Sequence, residues 1–403
     1  MPPWMPGGDS PRYLGESRRR LTPAERDLLT RWADAGGRAA GAPIAVGGAR
    51  AGGPGRTLAL APAQPYLPRP GAGGLDDYRC FVLEPRLGHD VYVTGAVVRP
   101  QHAAIVHHVI LFEAAGRNAA EARALNRASG GNGWTCFGGP GLSDAHPAGG
   151  AASSDRLGAP QWLGAWVPGH AENATPRGTG VLLHAGAAVV MQVHYNLIHP
   201  ARPDRSRVLL RVVPAAGSHL TALGTMLVPA PVELPCPPGV HSRLCRRDAA
   251  LALEAREYGR EAAAIPFGLL YLCGGTPARS AGGVSSLTTA CDRSFTRPVR
   301  IYGVAGHMHL RGVEIRLELD PGTPRARTLL DIPRWDFHWQ DAYYLARPVD
   351  AGPGDTVRVT CRFDNSAGNQ PVVNGRRLAP RYVLWGEGTT DEMCLGLLQV
   401  ADR

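Results

Sequence analysis

Four short stretches carry side chains able to bind a transition metal: His107-His108, Gln192-Val193-His194-Tyr195, Gly306-His307-Met308-His309 and Asp391-Glu392-Met393-Cys394. Imidazole suits several first-row metals, whereas a thioether is a soft ligand that prefers Cu(I) to zinc or harder ions. Two imidazoles with one thioether therefore favour reduced copper and leave a position open for oxygen. Taken singly, each stretch has an ordinary alternative. Successive strand side chains point to opposite faces, so His107 and His108 serve one metal only where the backbone twists or bulges; otherwise one is buried and the other exposed. His194 closes the apolar run Ala187–Val193 and belongs at a strand end, where it could be a hydrogen-bonded core residue. His307 and His309 project from one strand face, but 14 His in 403 residues give ~0.5 such H-x-H matches by chance. Met393 could simply fill a core gap.

The elements that must position these residues are strands. The 51 Gly and 36 Pro suit a β-rich fold with many turns. Short apolar runs predict strands at Tyr78–Leu83, Asp90–Val98, Ala103–Phe112, Ala188–Asn196 and Val208–Val213. A second set follows at Arg300–Met308, Val313–Leu319, Thr356–Arg362 and Leu395–Val400. Two such sets, meeting near residue 215, indicate two β-sandwich domains, as does a length beyond what one hydrophobic core usually serves. Asp248–Ala264 has helical composition around an isolated Gly259. Ahead of the strands, Thr22-Pro23-Ala24-Glu25 is a capping box opening a helix with Leu28, Leu29 and Trp32 on one face, stopped at Gly36-Gly37. The expected organisation is a helical extension over 1–40, an Ala/Gly/Pro-rich linker over 41–56, and domains over 57–215 and 216–403.

Composition excludes several classes. With 44% hydrophobic and 19% charged residues the chain is not disordered throughout, and no apolar run approaches the ~20 residues of a membrane-spanning helix. The formal charge is +9, and all 43 basic residues are Arg, yet they are scattered, with Arg18-Arg19-Arg20 the longest run. A nucleic-acid binder clusters them on one helix or stripe, so no nucleic-acid partner is expected. Eight Cys without a C-x-x-C pair argue against a zinc ribbon and fit disulfides made in an oxidising compartment, periplasmic or extracellular. The start, Met1-Pro2-Pro3-Trp4, has no charged region and no apolar region of a signal peptide. Either export is signalled otherwise or the true N-terminus is missing.

The order His-His, Gln-x-His, His-x-His, Asp-Glu-Met-Cys, from about Tyr78 to the C-terminus, resembles the copper type II ascorbate-dependent monooxygenases. That family contains peptidylglycine α-hydroxylating and dopamine β-monooxygenases; residues 231–291 look like an insertion relative to its animal members. The resemblance implies two tandem jelly-roll sandwiches, each holding one copper, facing across a solvent cleft. His107, His108 and His194 would hold an electron-storing copper, with Gln192 close behind them. His307, His309 and Met393 would hold the copper that handles O2. Cys361 and Cys394 match a family disulfide that pins the Met-bearing strand. The implied reaction is hydroxylation of an activated C–H bond in a small-molecule substrate, with O2 and an external one-electron donor.

Departures from the family bear on substrate and donor. Peptide-amidating members hold a carboxylate with an Arg two residues before the His-x-His and with Asn and Tyr after the Met. Here those places are Ala305, Leu395 and Leu397, which cannot pair a carboxylate. Peptide amidation is not expected, the trio suggests a less polar substrate, and no residue supports a phenethylamine. The N-terminal piece resembles the tail of a c-type cytochrome domain, with Met1 or Met5 near the axial position and C-x-x-C-H absent, so the donor is expected to be ascorbate or a c-type cytochrome. The competing readings are a non-catalytic copper-binding jelly-roll protein and a zinc hydrolase. Met393 argues against the hydrolase, because zinc sites prefer His, Cys and carboxylate.

Overall fold

A computed structural model describes residues 6–15, 21–38, 55–70, 75–143, 161–167, 173–276, 286–373 and 375–403. Most of the linker expected over 41–56, the Arg18–Arg20 run, Met1 and Met5 lie outside the described residues. Helix α1 (Pro23–Asp34) starts at the expected capping box, where Thr22 and Glu25 satisfy each other's backbone N–H groups, but it buries none of its residues. Just before it, Tyr13 is buried and donates its hydroxyl to the Leu329 carbonyl (2.7 Å), docking the N-terminal segment on the second sandwich.

Numbering only strands of five residues or more, the first sandwich is built from β1 (Arg56–Leu60), β2 (Asp76–Leu83), β3 (Val91–Arg99), β4 (Val106–Ala114), β5 (Trp162–Trp166), β6 (Thr179–Leu183), β7 (Ala188–Asn196) and β8 (Arg207–Pro214). One sheet runs β1-β8-β3-β6 and the other β2-β7-β4-β5, with all these neighbours antiparallel. Val93, Val98, Val208 and Leu210 of the first sheet pack against Val109, Leu111, Met191 and Val193 of the second. The outer face of β7 is covered as well, by helix α2 (Gly116–Ala128), with Ala119 and Ala122 against Ala188 and Val190. This double burial explains why β7 reads as a nearly continuous apolar run instead of an alternating one.

The second sandwich is built from β9 (Gly224–Ala230), β10 (Ser286–Ser294), β11 (Val299–His307), β12 (Gly312–Leu319), β13 (Arg327–Ile332), β14 (Ala342–Ala351), β15 (Thr356–Asp364) and β16 (Cys394–Asp402), in sheets β9-β16-β11-β14 and β10-β15-β12-β13. Gly306 and Gly396 are cross-strand partners in the first of these sheets. A Cβ on Gly396 would lie 2.4 Å from Leu317 Cδ2, and one on Gly306 2.9 Å from Ile315 Cγ2. Only glycine lets the two sheets close at the root of the His307 motif.

Every strand expected from the sequence is present, and the architecture is all-β with two sandwiches. The helix expected over Asp248–Ala264 is two helices, α3 (Arg247–Glu257) and α4 (Arg260–Leu272), because Gly259 adopts φ 95° and breaks the run. Helix α2 and strands β1, β5, β6, β9, β10, β13 and β14 are additions to the sequence reading. Four disulfides join Cys80–Cys136, Cys236–Cys245, Cys273–Cys291 and Cys361–Cys394, as suits an oxidising compartment. Among the described residues no helix is long and apolar enough to cross a membrane.

Candidate metal centres

The register between β4 and β7 pairs Val106 with Tyr195 and His108 with His194, and shifts between them. His107 is the extra residue of a β-bulge, the device that turns two adjacent side chains to one place. His107 and His108 present Nδ1 atoms 3.3 Å apart, and His194 Nδ1 lies 3.4 Å from His108 Nδ1. Three nitrogens bound at ~2.0–2.1 Å to one ion would stand ~3.3–3.6 Å apart, so the cluster fits a single metal ion. Burial, and then the neighbouring His194, hold His107 and His108 well below the usual imidazole range, which keeps their lone pairs free. Among the described residues this is the one group of three or more His, Cys, Asp or Glu whose ligand atoms converge.

His194 reaches the cluster through Nδ1 because its other nitrogen is engaged. The Nε2–H donates to Asp76 Oδ1 (2.9 Å), and the Tyr78 ring stacks on the imidazole with centroids 4.0 Å apart. Asp76 also accepts from Asn196 Nδ2 and from the backbone and hydroxyl of Thr389. Burial raises the Asp76 carboxyl, but the bonds from His194 and Thr389 outweigh it and bring it down to about 2. A carboxylate behind a ligating histidine fixes its tautomer and raises its basicity. Gln192 lies two residues back on β7, and its amide donates to the Gly139 carbonyl (2.7 Å) and contacts Cys136 Sγ.

At the second group the structure corrects one expectation. β11 ends at His307, so His309 lies beyond it, and the two imidazoles do not meet through strand alternation. The rings lie 5.1 Å apart at 83°. His307 pairs with Leu395, two residues beyond Met393 in the chain. His307 Nδ1–H donates to Gln340 Oε1 (2.6 Å) and His309 Nδ1–H to the Asp391 carbonyl (3.3 Å), so both present Nε2 lone pairs. Burial is the largest influence lowering both below the usual range.

Met393 is 5% exposed and stands immediately before β16, next to the Cys361–Cys394 disulfide. The two acids ahead of it lock its loop. Glu392 accepts the backbone N–H groups of His309 and Arg311, and Asp391 accepts from Arg381 and from the Gly388 backbone.

The two groups are close neighbours, and a ring occupies the interval where a solvent cleft was expected. Phe337 stacks on His107 (4.7 Å, 18°) and meets His309 edge-on (5.7 Å, 80°). No motif pointed to Phe337, Gln340, Asp76, Tyr78 or Thr389. The available signal was generic: a ligating imidazole needs an acceptor on its other nitrogen.

Residues 281–399, which include His307, His309, Met393 and both cysteines beside them, match the sequence profile of the copper type II ascorbate-dependent monooxygenase C-terminal domain. Over those residues the chain is similar to that family's C-terminal domain. The domain it resembles is copper-dependent by description, and the three converging imidazoles are a donor set that copper accepts. No curated protein matches the chain. Among solved structures, the coconut allergen cocosin is 10% identical over 86% of each chain with a TM-score of 0.13. A variant of Bacillus subtilis oxalate decarboxylase is 7% identical over 86% of this chain and 77% of its own, with a TM-score of 0.16. Scores that low speak to neither the fold nor the function of this chain.

Proposed function

We propose that the chain is a dicopper monooxygenase that hydroxylates an activated C–H bond with O2 and a one-electron reductant, either ascorbate or a c-type cytochrome. His107, His108 and His194 hold the copper that stores an electron, and His307, His309 and Met393 hold the copper that handles O2. Bound there, copper supplies one-electron redox chemistry, and the thioether favours its reduced form. The protein supplies the rest. Asp76, Gln340 and the Asp391 carbonyl each hold one ring N–H so that the opposite nitrogen is free. Both sites are built of neutral donors, so a change of oxidation state needs no proton released from a ligand. The observation that carries the reading is the bulge at His107, which makes a three-imidazole cluster from a pair of adjacent strand residues.

The substrate is a small molecule, apolar where it meets the protein. Ala305 pairs with Leu397, His307 with Leu395, and Leu227 and Pro229 of β9 extend the row on the same half-buried face. No cation stands among these residues to hold a carboxylate. We place the copper domains at 57–215 and 216–403, behind the 1–40 extension and the 41–56 linker, in a periplasmic or extracellular protein.

Copper stoichiometry with EPR on oxidised protein, followed by oxygen uptake with ascorbate, tests the reading. Two type 2 coppers per chain, with uptake, are expected. One copper without uptake would mean a copper-binding protein without turnover, and none would overturn the copper reading.

A further inference from the structure

Residues 333–341, between β13 and β14, form one loop that touches both histidine groups. Trp335 Nε1–H donates to the His309 carbonyl (3.1 Å). Phe337 is 7% exposed and packed between His107 and His309. Gln340 Nε2–H donates to the Phe337 carbonyl (2.9 Å), which orients the amide so that Oε1 faces His307 Nδ1 at 2.6 Å. An oxygen there demands a proton on Nδ1, and the hydrogen bond made by one ring nitrogen decides the state of the other. Among the described residues no other group hydrogen-bonds to the His307 ring, so the choice falls to Gln340.

We propose that this loop registers the two groups to each other. Gln340 is a positioning residue that selects the His307 tautomer with a free Nε2, and Phe337 is a wedge that holds the His107 ring against the second group. A single loop thereby sets ring orientation on both sides of the interval, because the backbone carbonyl of the wedge is also the group that orients the Gln340 amide. The purpose of the device rests on the dicopper reading; its geometry does not.

The experiment is nitrogen-resolved NMR of the histidine rings in metal-free protein, followed by a copper titration. In wild type, His307 should be in the Nδ1–H form and the His107 ring signals displaced upfield by the Phe337 ring current. Gln340→Leu should move His307 toward the Nε2–H form, and Gln340→Glu, which keeps an acceptor, should restore it. Phe337→Leu, which keeps most of the volume, should abolish the upfield displacement and broaden the His107 signals as that ring is freed. In the titration, Gln340→Leu should weaken one copper by about 10–100-fold and leave the other unchanged. An unchanged His307 tautomer in Gln340→Leu, or unmoved His107 signals in Phe337→Leu, would overturn the proposal. Wild type with the expected ring signals but fewer than two coppers would sink the dicopper reading and leave the loop's positioning role standing.

Discussion

Thr389 holds the same carboxylate that holds His194. Its hydroxyl and its backbone N–H donate to Asp76 at 3.0 and 3.2 Å, while His194 Nε2–H donates to Asp76 at 2.9 Å. Asp76 opens a strand of the first sandwich, and Thr389 stands in the loop that leads to Met393. One buried carboxylate therefore ties the first imidazole cluster to the segment carrying the thioether.

Asp76→Ala should weaken the first copper by about 10–100-fold, the usual effect of losing the acceptor behind a ligating histidine. It also strands the Thr389 and His194 N–H groups, at a cost of about 1–3 kcal/mol each. Competition with a calibrated chelator reads the affinity. Two copper affinities equal to those of wild type would remove Asp76 from the site.

His194→Ala should lose one copper per chain and keep the other. Met393→His should keep copper bound while sharply lowering oxygen uptake with ascorbate, because the soft donor is replaced by a third imidazole. Loss of both coppers in His194→Ala would show that the two groups do not bind independently. Unchanged uptake in Met393→His would place Met393 outside the active site.

Gly396→Ala should destabilise the fold by about 1–3 kcal/mol through overpacking, since the new methyl group would sit 2.4 Å from Leu317 Cδ2. Gly268, exposed in helix α4, is the contrasting case, because a Cβ added there would meet nothing within 4 Å. Gly268→Ala should stabilise by about 0.4–1 kcal/mol. Urea unfolding compares the two, and equal effects would contradict the packing argument.

Glu254, on helix α3, is buried, and burial and then the charge of Asp391 push its carboxyl well above the usual range. Between the ordinary carboxylate value of ~4.3 and that raised value, the folded chain binds a proton that the unfolded chain has lost. Stability contributed here therefore falls as pH rises through that window. Glu254→Gln should melt higher than wild type near pH 8, with the advantage vanishing by about pH 4. An advantage independent of pH would mean that Glu254 is ionised in the fold.

Much of the architecture was legible because strand alternation and turn residues are local signals. The apolar run through Val193 marked β7, and Gly and Pro marked the breaks between strands. Helix α2 was missed because its Ala- and Arg-rich segment has few large apolar residues, and it is held by Ala119 and Ala122 packing into the sheet. The split of the helix at Gly259 turned on a positive φ, which an isolated glycine permits but does not announce.

The candidate ligands could be named from residue type, order and spacing, because a soft thioether and paired imidazoles are chemical properties of the side chains themselves. The sequence by itself determined which donors are available and that strands carry most of them. Only the tertiary structure decided how they converge. The bulge at His107 exists because β4 and β7 slip by one residue, a property of the pairing and not of either strand. The end of β11 at His307, the acceptors Asp76 and Gln340, and the Phe337 ring in the interval come from segments distant in the chain. Their contacts are selected by packing across two sandwiches, and no local period encodes them.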